Sequence, residues 1–355
     1  MIVAFFIKSF YGGGAEKVVV NLANALSKRY AVKIFVAQND GVYKNLVGSS
    51  IEVIELGQPS IRSIVTELPK LHKEHKFDVL ISNLVHENIF ASLGWLFSFR
   101  GFKLIKVEHN KVFDEMAAAS KAKAFITKAL WALTKNLGTL TIGVSKGVCD
   151  DLTTNGVRRV RYIYNPILDA RSRSRDRGVK AGHKILFVGR LVDQKDPLLA
   201  LKVVREILKK DSRFSLTIAG EGPLKSEILE FVQANKMGDA VKLVGFQKDI
   251  ETLYENHDFL VLTSKFEGFG NVIVEAAHRG CIPIVADVPF GPNEIVTSSK
   301  IGVLVNSRDN IGAYVDAMLS KSSAFDFEFA QKELRQRFGI ESISDQYSEL
   351  IEELV

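Results

Sequence analysis

Arg190, Lys195, Glu267 and Glu275 are the residues whose types and spacing most suggest chemistry. Arg190 and Lys195 stand five positions apart in "VGRLVDQKD", directly after an apolar run. A planar guanidinium fork and a mobile ammonium together suit a diphosphate. Glu267 and Glu275 stand eight apart in "EGFGNVIVE". Between them Gly268, Phe269, Gly270 and Asn271 lead from a loop into a helical pattern, with two glycines loosening the backbone where the helix should begin. A helix N-terminus receives a phosphate well. Carboxylates accept hydrogen bonds from vicinal hydroxyls, so one glutamate can hold a ribose and the other a hexose. Either glutamate alone reads as surface charge. With Arg190 and Lys195 they match a site for a nucleotide sugar.

Three weaker signals accompany this set. "FYGGGAEKVV" places Gly13 and Gly14 between a first apolar run and a helix, as a tight turn or an anion or sugar site. It is not a G-x-G-x-x-G fingerprint, and no acidic residue closes the second apolar run "AVKIFVA", so a dinucleotide is not expected. "KVEHNKVF" sets His109 between Glu108 and Asn110 just past another apolar run, where a structural and a functional histidine are both reasonable. "AGEGPLK" carries Gly220 and Gly222 in a turn that can bring backbone against a ligand.

These residues need elements to hold them. Short apolar runs alternate with helical patterns: "IVAFFI", "AVKIFVA", "IEVIEL", "FDVLIS", "KLIKVE" and "TLTIGV" in the first half, then "KILFVG", "FSLTIAG", "VKLVG", "FLVLTS", "IPIVAD" and "GVLVN". Such alternation implies parallel sheets covered on both faces. It occurs twice, so the expected fold class is α/β, with two doubly wound Rossmann-like domains facing across a cleft. The expected division is a first domain over 1–165, a polar basic linker over 166–182, a second domain over 183–337 and a terminal helix over 338–355 that returns to the first. Ligands of such sheets bind beyond the carboxyl ends of the strands, where every motif above falls.

Composition narrows the class. The chain has 355 residues, 46% hydrophobic and 25% charged, enough for two ordinary cores. Cys149 and Cys281 are the only cysteines, which gives no disulfide framework or cysteine-based zinc site and favours a reducing compartment. "MIVAFFIKSF" lacks a basic leader and reads as a buried strand, and the apolar run 89–99 is too short to span a bilayer. Residues 1–165 hold 22 Lys+Arg and 13 Asp+Glu, a net +9; the remainder hold 25 and 28, a net −3. Only the first half should therefore meet an anionic partner. The basic linker has no interleaved aromatics and the second half is acidic, so nucleic acid is not expected. Residues 117–137 combine Lys121, Lys123, Lys128 and Lys135 with Phe125, Ile126, Leu130, Trp131 and Leu133. That suits a helix lying on an anionic membrane, or a core helix whose lysines reach out to water.

"GGGAE", "VGRLVDQKD", "GEGP" and "EGFGNVIVE", in this order and spacing, resemble the retaining glycosyltransferases of the GT-B fold, family 4 (glycosyltransferases group 1), over nearly the whole chain. The resemblance implies a UDP- or GDP-sugar donor held mainly by the second domain. Under it, Arg190 and Lys195 match the diphosphate-binding cations, Glu275 the ribose ligand and Glu267 the glutamate near the donor sugar. His109 matches a histidine near the reaction centre, and Gly13 and Gly14 the loop facing the donor phosphate and acceptor. It implies no metal cofactor, in keeping with the lack of an Asp-x-Asp motif at a strand end. Asn271 departs from the larger apolar residue common at that place. "FGPNEIV" resembles the variant found in enzymes that build lipid-linked surface polysaccharides, such as O-antigen, capsule or lipopolysaccharide. The expected donor is therefore a UDP-hexose or UDP-N-acetylhexosamine, and the acceptor a polyprenyl-diphosphate-linked saccharide. The expected place is the cytoplasmic face of the cell membrane, as a peripheral protein. On this reading Lys195→Ala should cut turnover and leave the fold intact. A nucleotide-sugar epimerase of the same fold and a non-catalytic sugar-binding protein are the alternatives.

Overall fold

The computed structural model describes residues 1–57, 60–111, 113, 121–169, 182–320 and 324–355. The chain divides into two compact units, Met1–Asp169 with Phe338–Val355, and Ala170–Arg337. Most of the expected linker, residues 170–181, lies outside the described residues, as do 117–120 of the basic helical pattern.

The first unit runs β1 (Ile2–Ile7), α1 (Gly14–Leu26), β2 (Ala31–Val36), β3 (Glu52–Glu55), α2 (Ile64–His75), β4 (Val79–Asn83) and α3 (Val85–Phe97). It continues with β5 (Lys103–Glu108), α4 (Lys121–Thr134), β6 (Leu140–Gly143), α5 (Lys146–Thr154) and β7 (Val160–Tyr162). The strands are parallel in the order β3-β2-β1-β4-β5-β6-β7. Central strands buried on both faces need continuous apolar runs. Val3 to Ile7 of β1 and all of β4 are accordingly buried. One side of the sheet is filled by Phe6, Phe35, Phe77, Trp95 and Phe102, with Phe77 and Phe102 edge to face at 4.7 Å.

The second unit runs β8 (Lys184–Val188), α6 (Pro197–Lys210), β9 (Ser215–Ala219), α7 (Lys225–Ala234), β10 (Val241–Gly245) and α8 (Ile250–Asn256). There follow β11 (Phe259–Leu262), α9 (Asn271–His278), β12 (Ile282–Ala286), α10 (Pro292–Ile295), β13 (Val303–Val305), α11 (Ile311–Leu319) and α12 (Phe327–Phe338). Its parallel order is β10-β9-β8-β11-β12-β13.

The last helix, α13 (Ile340–Leu354), belongs to the first unit. Its face of Ile343, Tyr347, Leu350 and Ile351 is buried, and it packs on α1. Arg161 grips Glu353 with two bonds of 2.6 and 2.7 Å, and Tyr30 donates to Glu352 at 3.0 Å. Leu168 and Gly339 pair as a short parallel bridge at its entry.

In each sheet the strand order reverses once, between β1 and β4 and between β8 and β11. Loops that leave neighbouring strands in opposite directions part there and open a crevice. The two reversal points fix which loops can build a site.

Candidate active site

In the second unit, the loops after β8 and β11 flank the reversal point, and they carry Arg190, Lys195, Glu267 and the start of α9. Lys195 donates to both oxygens of Glu267, at 2.6 and 2.7 Å. The Glu267 side chain is 5% exposed and that of Lys195 17%. Ser264 adds a hydroxyl to Oε1 at 2.5 Å. Both ends of the pair are held by hydrogen bonds between the loops. Thr263, at the end of β11, donates to the Asp196 carbonyl at 2.8 Å. Lys265 donates its amide to the Gln194 carbonyl at 2.8 Å, and Gln194 returns a side-chain bond to Phe266 O at 3.2 Å.

Asp196 is left-handed, with φ of 46°, and caps α6 by accepting from the Leu199 amide at 3.1 Å. Arg308 pairs with its other oxygen. A non-glycine residue in that conformation needs such fixing. Its effect is to turn the chain sharply after Lys195. Arg190 is exposed and donates to Gln194 Oε1 at 3.2 Å, so the two cations share Gln194 as a neighbour in one loop.

Gly270 sits at the N-cap of α9 with φ of 99°, a conformation open to glycine and strained for other residues. Phe269 before it is buried, and Asn271 is the first residue of the helix. Glu275 lies just over one turn in, buried, and accepts from the Tyr254 hydroxyl at 2.9 Å. Tyr254 is fully buried, and its phenol is pushed well above the usual range by burial and by the Glu275 carboxylate. It therefore stays a neutral donor that fixes Glu275. Gly220 and Gly222 follow β9, on the far side of β8. A side chain at Gly220 would lie 1.8 Å from the Gly189 carbonyl oxygen, and one at Gly222 would lie 2.4 Å from that of Leu191. Close backbone packing against the β8 loop accounts for both glycines.

In the first unit, Gly13 is the N-cap of α1 and Gly14 its first residue. The Glu16 carboxylate folds back over Gly13, into the space a side chain there would need. A small pocket beside this turn is lined by Lys8, Glu16, Asn83 and Glu87, at the β1/β4 reversal. His109 follows β5, one strand away, and its Nε2 lies 3.1 Å from Asn83 Oδ1. Burial lowers the His109 pKa to about 4, so the ring is neutral at pH 7. Next to it on β5, Lys106 is buried and donates to the Thr134 and Lys135 carbonyls at the end of α4, at 3.2 and 2.8 Å. Desolvation lowers its pKa to about 8.

The sequence reading did not include Tyr254, Ser264, Gln194 or Asn83. Each supports a residue that it did include. Their signal is weak: a tyrosine on the buried face of a short helix and hydroxyl or amide residues near strand ends are common in any doubly wound domain.

Two doubly wound units, with the selected charged side chains on the loops at the reversal of the second, define the GT-B class of fold. The family model "Glycosyltransferase Family 4" matches residues 12–171, and "Glycosyl transferases group 1" matches residues 172–341. The chain belongs to this family of glycosyltransferases. It is 28% identical over 335 residues to a Campylobacter jejuni α-1,4-N-acetyl-D-galactosaminyltransferase whose named acceptor is GalNAc-α-(1→4)-GalNAc-α-(1→3)-diNAcBac-PP-undecaprenol; the match covers 88% of this chain and 86% of the relative. A Xanthomonas oryzae GDP-mannose:cellobiosyl-diphosphopolyprenol α-mannosyltransferase is 31% identical over 48% of this chain and 45% of its own. Among solved structures, Anabaena HepE in complex with UDP-glucose superposes with a TM-score of 0.83 at 19% identity, covering 100% of both chains. Sucrose-phosphate synthase from Thermosynechococcus elongatus gives 0.81 at 17% identity, over 99% of this chain and 98% of that one.

Proposed function

We propose that this glycosyltransferase moves a hexosyl or N-acetylhexosaminyl group from a UDP-sugar, with retention, to a saccharide carried on polyprenyl diphosphate during synthesis of a surface polysaccharide. The observation that carries the reading is the buried Lys195–Glu267 pair at the reversal point of the second unit, beside the N-terminus of α9. The names of the Campylobacter and Xanthomonas relatives, which specify diphosphopolyprenol-linked acceptors and α-transfer, support the acceptor class and retention. The donor-bound HepE complex supports UDP.

In this reading Arg190 and Lys195 hold the diphosphate, with the α9 N-terminus adding positive potential. Glu275, fixed by Tyr254, accepts from the ribose hydroxyls, and Glu267 accepts from the transferred sugar. The bond from the anomeric carbon to the β-phosphate oxygen breaks on one face through an oxocarbenium-like transition state. The acceptor oxygen bonds to the same carbon on the same face, and its proton passes to the departing diphosphate. Arg190 and Lys195 stabilise the charge that the diphosphate develops. Neither glutamate moves a proton, which separates this scheme from the double displacement of two carboxylates. No step calls on a metal. Neutral His109, at the carboxyl end of β5, is a hydrogen-bonding group of the first unit in this proposal. The basic α4, where Phe125, Ile126 and Leu133 are exposed, rests the enzyme on the cytoplasmic face of an anionic membrane.

The test is incubation with a panel of UDP- and GDP-sugars, with and without a polyprenyl-diphosphate saccharide, in EDTA. UDP release that depends on acceptor, and an α-linked product, are expected. Conversion of the UDP-sugar to its epimer without acceptor would refute transfer.

A further inference from the structure

A cavity of about 390 Å³ lies in the first unit, apart from the candidate site residues described above. Its lining includes Asp78, Lys103, Thr139 and Arg159. Asp78, Thr139 and Arg159 immediately precede β4, β6 and β7, and Lys103 opens β5. The cavity is therefore at the amino ends of the strands, whereas Asn83 and His109 are at the carboxyl ends. Six residues of β5 put roughly 20 Å between them. Trp95 forms a wall, and the Arg100 guanidinium lies over its ring, 5.4 Å from the centroid. Arg159 donates to the Thr139 carbonyl at 3.3 Å, which leaves most of its fork for another acceptor. Asp78, the one acidic side chain of the lining, already accepts from the Ile2 amide at 2.7 Å.

Three cations around one hollow would serve a phosphate in any form. The apolar side chains beside them decide its source. Leu96, Phe97 and Phe99 lie on the same turn as Arg100, and Phe99 is 95% exposed. Phe99 and Arg100 are both left-handed, with φ of 52° and 59°. Exposed phenylalanines flanked by cations fit a bilayer surface, with rings in the acyl boundary and cations on the phosphates. Leu133 of α4, also exposed, is five residues before Gly138 of the cavity lining, and α3 packs against α4. We propose that this corner is a docking site for an anionic phospholipid, whose phosphodiester is taken by Arg100, Lys103 and Arg159 while Phe97 and Phe99 enter the bilayer. This deepens the membrane side of the proposed function, adding a headgroup site to the α4 surface.

The test uses the full chain and vesicles of phosphatidylcholine with or without phosphatidylglycerol, at low and high salt. The variants are Phe99→Ser, Arg100→Ser and, on α4, Phe125→Ser with Leu133→Ser. Arg100→Ser should weaken partition onto phosphatidylglycerol vesicles about five-fold, as for one cation at such a surface. Phe99→Ser should weaken it at least as much on the same vesicles. Turnover of a soluble acceptor should stay at the wild-type level for both. Trp95 and Trp131 are the two tryptophans of the chain, so Trp131→Phe leaves Trp95 as the reporter of the cavity. Its emission should respond to short-chain phosphatidylglycerol and not to glycerol phosphate or inorganic phosphate. An equal response to free phosphates would overturn the lipid assignment. Wild-type partition by Phe99→Ser and Arg100→Ser, with loss only in the α4 variant, would overturn the headgroup site and leave the proposed function standing.

Discussion

Replacing Lys195 tests the site and the fold together. The sequence alone suggests that Lys195→Ala removes activity and leaves the fold intact. The structure gives a different expectation, because Lys195 is the cation that neutralises a glutamate 5% exposed. Removing one partner of a buried ion pair leaves the other charge uncompensated, a loss of about 3–5 kcal/mol. Glu267 keeps the Ser264 hydroxyl, which places the expected loss at the lower end, about 3 kcal/mol. In a unit of this size each kcal/mol moves the midpoint by roughly 3 °C, so Lys195→Met should melt about 10 °C lower. Glu267→Gln should also destabilise, by less, since Lys195 is more exposed and can turn to water. The double variant, Lys195→Met with Glu267→Gln, should recover at least 2 kcal/mol relative to the sum of the singles. It should nonetheless remain inactive. The assay is a double-mutant cycle by thermal and urea unfolding, with UDP release measured on the same four proteins. Singles that melt within 2 °C of wild type, or additive singles, would refute a buried and coupled pair. A double variant with near-wild-type turnover would refute the catalytic role.

Three further predictions concern Glu275, the buried histidines and Gly270. Tyr254→Phe removes the donor that fixes Glu275, and should raise the donor KM about five- to ten-fold while kcat stays within two-fold; an unchanged KM would remove Glu275 from ribose binding. His109, with a folded pKa of about 4, is stabilising in its neutral form: that contribution is complete above about pH 6.5 and falls by up to about 3 kcal/mol as the pH drops to 4. His278, lowered to about 4 by burial and then by Arg279 and Arg335, acts with the same sign in the second unit. Urea midpoints at pH 7, 5.5 and 4.5 should therefore fall with acid, and His109→Gln should flatten the curve of its unit. Gly270→Val places a β-branched side chain at φ of 99° and should cost about 2 kcal/mol or more, read by thermal unfolding, together with most donor affinity.

Strands and helices were legible where burial imposed a period. β1, β5 and β10 fall on their apolar runs without displacement. β7 was not legible, because three residues with two exposed carry no period. α5 is hard to read for a related reason: its apolar stripe is thin, with Val148 and Leu152 its buried residues. At the site, the charged residues were visible through type and spacing, and their partners were not. That Lys195 and Glu267 form a pair depends on β8 and β11 being neighbours, which local pattern does not encode. The same holds for Tyr254 and Glu275, which meet only because α8 and α9 lie against one another.

The return of α13 to the first unit has a consequence for the order in which the protein is made. Residues 338–355 complete a unit that begins at Met1, yet they are translated after all of Ala170–Arg337. The second unit is therefore available for folding while the first still lacks the helix that covers α1 and anchors Arg161 and Tyr30. Folding during synthesis usually proceeds from the N-terminus. Here the half that leaves the ribosome first must wait, with the apolar residues of α1 that face α13 uncovered, until the last turn of chain emerges. A nascent chain stalled before residue 338 would show a protease-resistant second unit and a first unit still open to cleavage.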